Sequence, residues 1–303
     1  MSRRKPSTID GLLLVDKPAG VSSHDVVSLA RRALGEKRIG HAGTLDPFAT
    51  GLLVILVGRA TRLLPHLPGD PKVYEATIRF GAETDTEDLH GEVVREAPLP
   101  HRRALLAAMP ALTGRVLQTP PAFSAKRVDG TRAYVLARAG EAPALKPVEI
   151  RVDRWEVLAL RDEAGMAVED DGLVREAAVR ITCGGGTYIR SLARDLARAA
   201  GSAAHLVQLR RTRAGAFRVE EAQTAQALKE GQAQVRPALA ALAGFPVQRL
   251  DDDEVTRIAR GIDVAATVEG AWGALTNPEN GVLVALAERR ADRWQPRVVM
   301  REA

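Results

Sequence analysis

Residues 11–57 decide the fold and read GLLLVDKPAGVSSHDVVSLARRALGEKRIGHAGTLDPFATGLLVILV. The apolar run at 11–15 predicts a buried strand, and the proline and glycines after it predict a turn. Ser22 or Ser23 can then cap a helix that runs over residues 24–34. A second apolar strand is predicted at 52–57. Strand, turn, helix and strand therefore open the fold.

The rest of the chain alternates strands with helices. Residues 73–80, VYEATIRF, alternate strictly between apolar and polar side chains, which places Tyr74 on the inward face of a strand. Further elements are predicted as helices at 101–110 and from Thr187 to Ala200, and as strands at 148–160 and 177–183.

Strand-sized pieces dominate beyond Gly231, at 272–275, 281–287 and 297–300, with one helix near 252–260. We therefore expect an α+β protein with two domains. Residues 1–245 form a large domain, a mixed and mostly antiparallel sheet with flanking helices. Residues 246–303 form a small β-rich domain.

Composition narrows the class of protein. The chain has 303 residues, 46% of them hydrophobic, and a single cysteine, Cys183, which excludes an intramolecular disulfide and a thiolate metal cluster. No apolar run is long enough to cross a bilayer or to form a signal-peptide core. We expect a cytoplasmic protein that does not bind membranes.

Positive charge is concentrated in one region. The net charge is +5, and residues 180–218 contain eight arginines against one acid, Asp195. Such a block is typical either of a solvated helix face or of a phosphate-binding surface, and the sequence leaves both open.

Four separated motifs suggest chemistry, although each has an ordinary structural explanation. Asp46, in the glycine-rich stretch 40–51, could be a turn residue. Tyr74 could be a core residue, and Arg190 a surface charge. The triple glycine 184–186 resembles a phosphate cradle, but the Lys-Ser/Thr of a nucleotide-binding P-loop does not follow it.

Together these motifs resemble the bacterial tRNA pseudouridine-55 synthases. The similar segments are GLLLVDKP at 11–18, GHAGTLDPFATG at 40–51, TDTED at 84–88 with Gly91, GTYIR at 186–190 and LRR at 209–211. The resemblance covers residues 10–218, and residues 246–303 loosely resemble the small RNA-binding PUA domain.

The resemblance implies a role for each matched residue. Asp46 is the catalytic carboxylate, acting on C1′ as a nucleophile or on the 2′ proton as a base; the sequence leaves both open. Arg190 pairs with Asp46, and Tyr74 stacks on the uracil. The implied substrate-binding residues are His41, Tyr188, Leu209, Lys17, Asp88, Arg210 and Arg211. Among these, His41 fills the space of the extruded base or is bonded within its own loop, and Lys17, Arg210 and Arg211 contact phosphates.

The resemblance also implies partners. The substrate is the T-arm stem-loop of tRNA, and the isomerisation requires no cofactor and no metal. The segment 117–147 resembles an insertion that grips RNA, which implies a stand-alone monomer without a guide RNA. One departure is Gly185, where relatives often carry a lysine.

Three rival functions remain at the level of sequence. The first is a non-catalytic RNA-binding or RNA-folding protein, which would have no chemical need for Asp46 with Arg190. The second is a hydrolytic nucleosidase, which would release free uracil. The third is a synthase that acts on another RNA.

Overall fold

The computed structural model describes residues 9–300 except 125, 129–130, 134–135, 137–138 and 140–144. Its helices are α1 (Ser23–Leu34), α2 (Arg102–Ala108), α3 (Ile189–Ala199), α4 (Ala225–Lys229) and α5 (Asp252–Ala259). Its strands are β1 (Gly11–Lys17), β2 (Ile39–Ala42), β3 (Thr50–Val57), β4 (Lys72–Phe80), β5 (Ala82–Thr84), β6 (Val93–Glu96), β7 (Gly114–Gln118), β8 (Arg127–Val128), β9 (Thr131–Arg132), β10 (Val148–Arg161), β11 (Glu176–Cys183), β12 (Ala204–Ala214), β13 (Phe217–Arg218), β14 (Gln223–Thr224), β15 (Arg236–Pro237), β16 (Val247–Arg249), β17 (Val264–Ala265), β18 (Trp272–Thr276), β19 (Leu283–Arg290) and β20 (Arg293–Val299). The predicted α+β class with a mostly antiparallel sheet is confirmed.

The chain divides into two compact units. The first unit combines the residues up to Gly69 with those from Gly215 onward, and the second unit is Asp70–Ala214. This division differs from the predicted one, which separated residues 1–245 from 246–303. That boundary stays a prediction.

The first unit begins with the predicted strand, helix and strand. β1 pairs antiparallel with β3 over its whole length, β3 pairs with β2, and β14 lies parallel to β1. Ser22 caps α1 through a reciprocal capping box with Asp25, as the sequence indicated. The apolar faces of α1 and α4 and the inner face of these strands form one buried cluster: Leu13, Val15, Val26, Val27, Ala30, Ile39, Leu53, Ile55, Val57, Ala225 and Leu228.

A separate five-stranded sheet begins at Val247. Its strand order is β16-β18-β19-β20-β17, and its core includes the fully buried Trp294. The indole Nε1 of Trp294 donates to Gln248 Oε1 at 2.7 Å, which satisfies its buried polar atom. The predicted β-rich character of the C-terminal residues is confirmed.

The second unit is built on the strand order β12-β4-β11-β10-β7, with every neighbouring pair antiparallel. The strict alternation along β4 holds. Tyr74, Ala76, Ile78 and Phe80 are all buried, with Tyr74 only 6% exposed. On this face Tyr74 lies between its register partners Ile181 on β11 and Arg211 on β12.

Three sequence predictions need correction or fall outside the described residues. Helix α3 begins at Ile189 with Tyr188 as its N-cap, two residues later than predicted. The stretch 40–51 is not all loop, because β2 ends at Ala42 and β3 begins at Thr50; glycines within a strand weaken the periodic signal. Much of the segment 117–147 lies outside the described residues.

Candidate active site

The loop that carries Asp46 is anchored on both sides of the carboxylate. Leu45 is 3% exposed, and its backbone N–H and C=O both bond the hydroxyl of the buried Ser23, at 2.8 and 3.0 Å. Phe48 is also buried, and Ala49 N donates to Asp46 O at 3.1 Å, closing a turn. The half-buried Asp46 side chain therefore projects from a backbone that apolar anchors hold in place.

The side chain of Lys17 also anchors this loop. Its side chain is 0% exposed, and its ammonium donates to the carbonyls of Val21 at 2.7 Å, Pro18 at 3.0 Å and Pro47 at 3.2 Å. Pro47 directly follows Asp46. A buried ammonium with three carbonyl acceptors is a structural clamp, so the structure does not support the predicted phosphate contact of Lys17.

The third predicted residue of the first unit, His41, lies on β2 opposite Ile55 of β3. It is half-buried. Lys17, His41 and Asp46 thus belong to the first unit. The remaining predicted site residues belong to the second.

Arg190 lies in the first turn of α3 and is 3% exposed, so it is not a surface charge. Its guanidinium donates from Nη1 to Thr86 O at 2.7 Å and from Nη2 to Phe123 O at 3.0 Å. The planar fork is therefore fixed by backbone carbonyls from two segments that are distant in sequence.

Hydrogen bonds within the Thr84–Asp88 motif, and from it to neighbouring residues and to α3, hold the shape of the motif. Asp88 is 7% exposed, and its Oδ1 accepts from Thr86 Oγ1 at 2.8 Å and from His90 N at 3.0 Å. Glu87 has a left-handed backbone, with φ of 60°, and its carboxylate accepts from Ser191 Oγ at 2.9 Å and from Arg194. Burial raises the pKa of the Glu87 carboxyl above its ordinary value, and the contacts with Arg194 and Ser191 oppose that shift.

Tyr188 is held at the start of α3 by a buried amide. Gln118, 1% exposed at the end of β7, accepts from Tyr188 N at 2.9 Å and donates to Tyr188 O at 3.0 Å. Arg194 also donates to Thr119 O at 3.0 Å. The chain that leaves β7 is thereby attached to the helix that carries Arg190.

The β4–β12 pairing brings Tyr74, Leu209 and Arg211 to one buried face. Leu209 is opposite Ala76, Arg211 is opposite Tyr74, and the three predicted residues are 6%, 7% and 1% exposed. Such burial argues against Arg211 as a surface phosphate contact. Arg210 points to the other face of β12 and is half-buried, so its phosphate contact stays a prediction.

Lys72 was missed by sequence reasoning, although it lies two residues before Tyr74 on the same face. Burial, and then the charge of Arg211, lower the pKa of the Lys72 ammonium. A Cβ on Gly185 would lie 3.5 Å from Lys72 Nζ. Gly185 is therefore adjacent to Lys72.

The arginine block is less available to a polyanion than its composition indicated. Arg180 pairs with Glu75 and Glu156, Arg194 with Glu87, and Arg198 with Glu83. Glu75, Glu87 and Glu83 precede their arginine partners by 105, 107 and 115 residues, so the count of eight arginines against one acid did not include them.

Two negative findings concern the described part of the chain. It contains no group of three or more His, Cys, Asp or Glu side chains that could hold a metal ion. None of its helices is long and apolar enough to cross a membrane.

Comparison of the sequence with family models gives two adjacent matches. Residues 31–189 match the TruB family pseudouridylate synthase (N terminal domain), and residues 190–242 match the tRNA pseudouridylate synthase B C-terminal domain.

Similar curated proteins carry one name, tRNA pseudouridine synthase B. The protein of Thermobifida fusca is 46% identical over 292 residues, which cover 96% of this chain and 98% of the relative. The Mycobacterium tuberculosis H37Rv protein is 42% identical and covers 98% of both chains.

Solved structures resemble the fold at low sequence identity. A chain in the structure of an H/ACA RNP bound to a substrate RNA containing 2′-deoxyuridine is 23% identical, with a TM-score of 0.68 over 96% of this chain and 85% of the neighbour. A chain of an archaeal box H/ACA sRNP Nop10-Cbf5 complex gives a TM-score of 0.66, also at 23% identity. These likenesses concern the fold.

Proposed function

Because the chain belongs to the TruB family of pseudouridylate synthases, we propose that it isomerises uridine 55, in the T-arm loop of tRNA, to pseudouridine. The main support for this proposal is the 41–46% identity, over nearly the whole chain, to proteins named tRNA pseudouridine synthase B. The reaction breaks the N1–C1′ bond, turns the uracil, joins C5 to C1′ and releases the C5 proton. Because N1 gains a proton, the product is an isomer of the substrate.

In this proposal Asp46 is the catalytic carboxylate. It acts on C1′ as a nucleophile or removes the 2′ proton as a base. The anchoring of its loop by Ser23 and Lys17 supports the assignment, because a catalytic group works best from a backbone that does not move. In the same proposal Arg190 pairs with Asp46 and orients its carboxylate.

The uracil is bound by apolar and aromatic side chains. Tyr74 stacks on the ring and takes part in removing the C5 proton, while Leu209 and Tyr188 line the pocket. The common buried face of Tyr74 and Leu209 supports this grouping.

In this proposal the enzyme contacts both the T loop and the phosphate backbone of the RNA. Because the target base lies inside the folded T loop, the enzyme extrudes it, and His41 fills the vacated space. Arg210 contacts a phosphate, and the segment 117–147 grips the T arm. We further propose a cytoplasmic monomer without a guide RNA, in which residues 246–303 form a PUA-like RNA-binding domain.

Asp46→Asn tests the chemical assignment, because it keeps the size of the side chain but removes the charge and the nucleophilic oxygen. We expect release of tritium from C5-labelled uridine in a T-arm stem-loop to slow by at least about a thousandfold, equivalent to roughly 4 kcal/mol. Binding of the stem-loop should survive. Asp253→Asn, at an exposed position in α5 of the same unit, is the charge-matched control.

Each opposing result has a distinct meaning. Turnover by Asp46→Asn within tenfold of the parent would make Asp46 a turn residue. Free uracil among the products would make the protein a nucleosidase.

A further inference from the structure

Two backbone carbonyls contact the guanidinium of Arg190, so its orientation depends in part on what holds those carbonyls. One of them belongs to Thr86, at 2.7 Å from Nη1. Thr86 is followed by Glu87, whose φ of 60° is a conformation that residues with a Cβ rarely adopt. The chain near Arg190 therefore needs other contacts to hold it in this conformation.

Glu87 supplies those contacts with all of its polar groups. Its backbone N–H donates to Thr84 O at 3.0 Å, and its carbonyl accepts from Leu206 N at 3.1 Å. Its carboxylate accepts from Ser191 Oγ at 2.9 Å and from the guanidinium of Arg194. Glu87 is 8% exposed, so its side chain is largely shielded from water.

The carboxylate contacts α3 at two positions that follow Arg190. Ser191 directly follows Arg190, and Arg194 lies one helical turn further on. Glu87, which directly follows Thr86, is thus bonded to the start of α3. Arg190, at the start of the same helix, is bonded to the Thr86 carbonyl.

We propose that Glu87 is a positioning residue for Arg190 in the reaction proposed above. It sets the place of the Thr86 carbonyl relative to the first turn of α3, and so the direction in which the Arg190 fork points. Loss of the carboxylate charge releases Arg194 and lets the strained backbone at Glu87 relax. Arg190 then stays in the structure but loses its fixed orientation.

Glu87→Gln is the test, and the chain offers a matched control. Glutamine keeps the shape and can accept from Ser191, but its amide presents a donor where Arg194 needs an acceptor. Glu83 is also buried, at 4% exposed, and pairs with Arg198 of the same helix at 2.6 Å. Glu83 also pairs with Arg95, and the side chain of Arg198 is half-exposed. Glu83→Gln therefore weakens ion pairs of a buried carboxylate, one of them to α3, without touching the turn of Arg190.

Both variants are compared with the parent by tritium release from a labelled stem-loop, RNA binding and urea unfolding. We expect Glu87→Gln to lower kcat at least twentyfold in folded protein, with Kd for RNA within threefold. Glu83→Gln should also lose stability but keep kcat within threefold. Ser191→Ala, which removes one neutral hydrogen bond, should fold and lose about three- to tenfold in kcat.

A readout that does not need activity separates this proposal from the proposed function. In ¹⁵N-arginine NMR spectra, the guanidinium signal of Arg190, assigned by its loss in Arg190→Lys, should be protected from exchange in the parent and in Glu83→Gln. It should lose that protection in Glu87→Gln. Equal effects of the two glutamine variants on kcat, or an unchanged Arg190 signal in Glu87→Gln, would overturn the positioning role. An inactive parent would refute only the proposed function.

Discussion

Replacement of the fully buried Lys17 by methionine separates a structural clamp from a phosphate ligand. Methionine keeps much of the volume of lysine but cannot donate to the carbonyls of Pro18, Val21 and Pro47. A hydrogen bond to a charged group contributes about 1.5–3 kcal/mol, so the simple sum for three bonds is roughly 5–9 kcal/mol.

Two features of the structure make the expected loss of unfolding free energy smaller than that sum. Pro47 O keeps a second donor, Gly20 N, at 2.9 Å, and Pro18 is exposed, so that water can replace the ammonium there. Removing Lys17 also removes the desolvation cost of a buried charge. We expect the free energy of unfolding to fall by about 3 kcal/mol.

Urea unfolding followed by tryptophan fluorescence measures this loss, with the exposed Lys229→Met as the control. Turnover should fall as well, because Pro47 adjoins Asp46. The slope of log affinity for RNA against log salt should not change. A lost phosphate contact would instead reduce the slope by about 0.7–0.9. Unchanged stability together with a reduced slope would refute the clamp.

Three further predictions concern buried groups. Ser23→Ala should lower the free energy of unfolding by about 1–3 kcal/mol in a urea titration, because it leaves the N–H and C=O of Leu45 unpaired; a change below about 0.3 kcal/mol would contradict this. Gln118→Leu should reduce tritium release at least tenfold with little change in RNA affinity, because Tyr188 at the start of α3 loses both amide bonds; parental turnover would show that α3 does not need this anchor. Burial raises the pKa of Cys183 to about 12, so at pH 8 a thiol-reactive disulfide reagent should modify it only after unfolding, and rapid modification of the native protein would contradict its burial.

The sequence predicted the elements with a strong periodic or capping signal. The alternation along 73–80 identified β4 and the inward face of Tyr74, and the serines at 22 and 23 indicated the start of α1. The stretch around Gly40 was predicted as loop, because glycines interrupt the pattern that an edge of a sheet would otherwise show.

Contacts between distant segments could not be predicted in the same way. Lys17 bonds a carbonyl 30 residues away, and Glu87 pairs with an arginine 107 residues away. One signal was present, since Arg190, Arg194 and Arg198 recur every fourth residue and so share a helix face. Spacing alone does not say which acids meet that face, so the sequence left the arginine block open between a solvated helix face and a phosphate-binding surface.

Direct mapping of pseudouridine in unmodified tRNA, after incubation with the purified protein, tests the central claim. The account predicts one new pseudouridine, at uridine 55 of the T loop, with the parent and none with Asp46→Asn. Modification at other positions only, release of free uracil, or an Asp46→Asn variant that modifies uridine 55 at a rate within tenfold of the parent would contradict it.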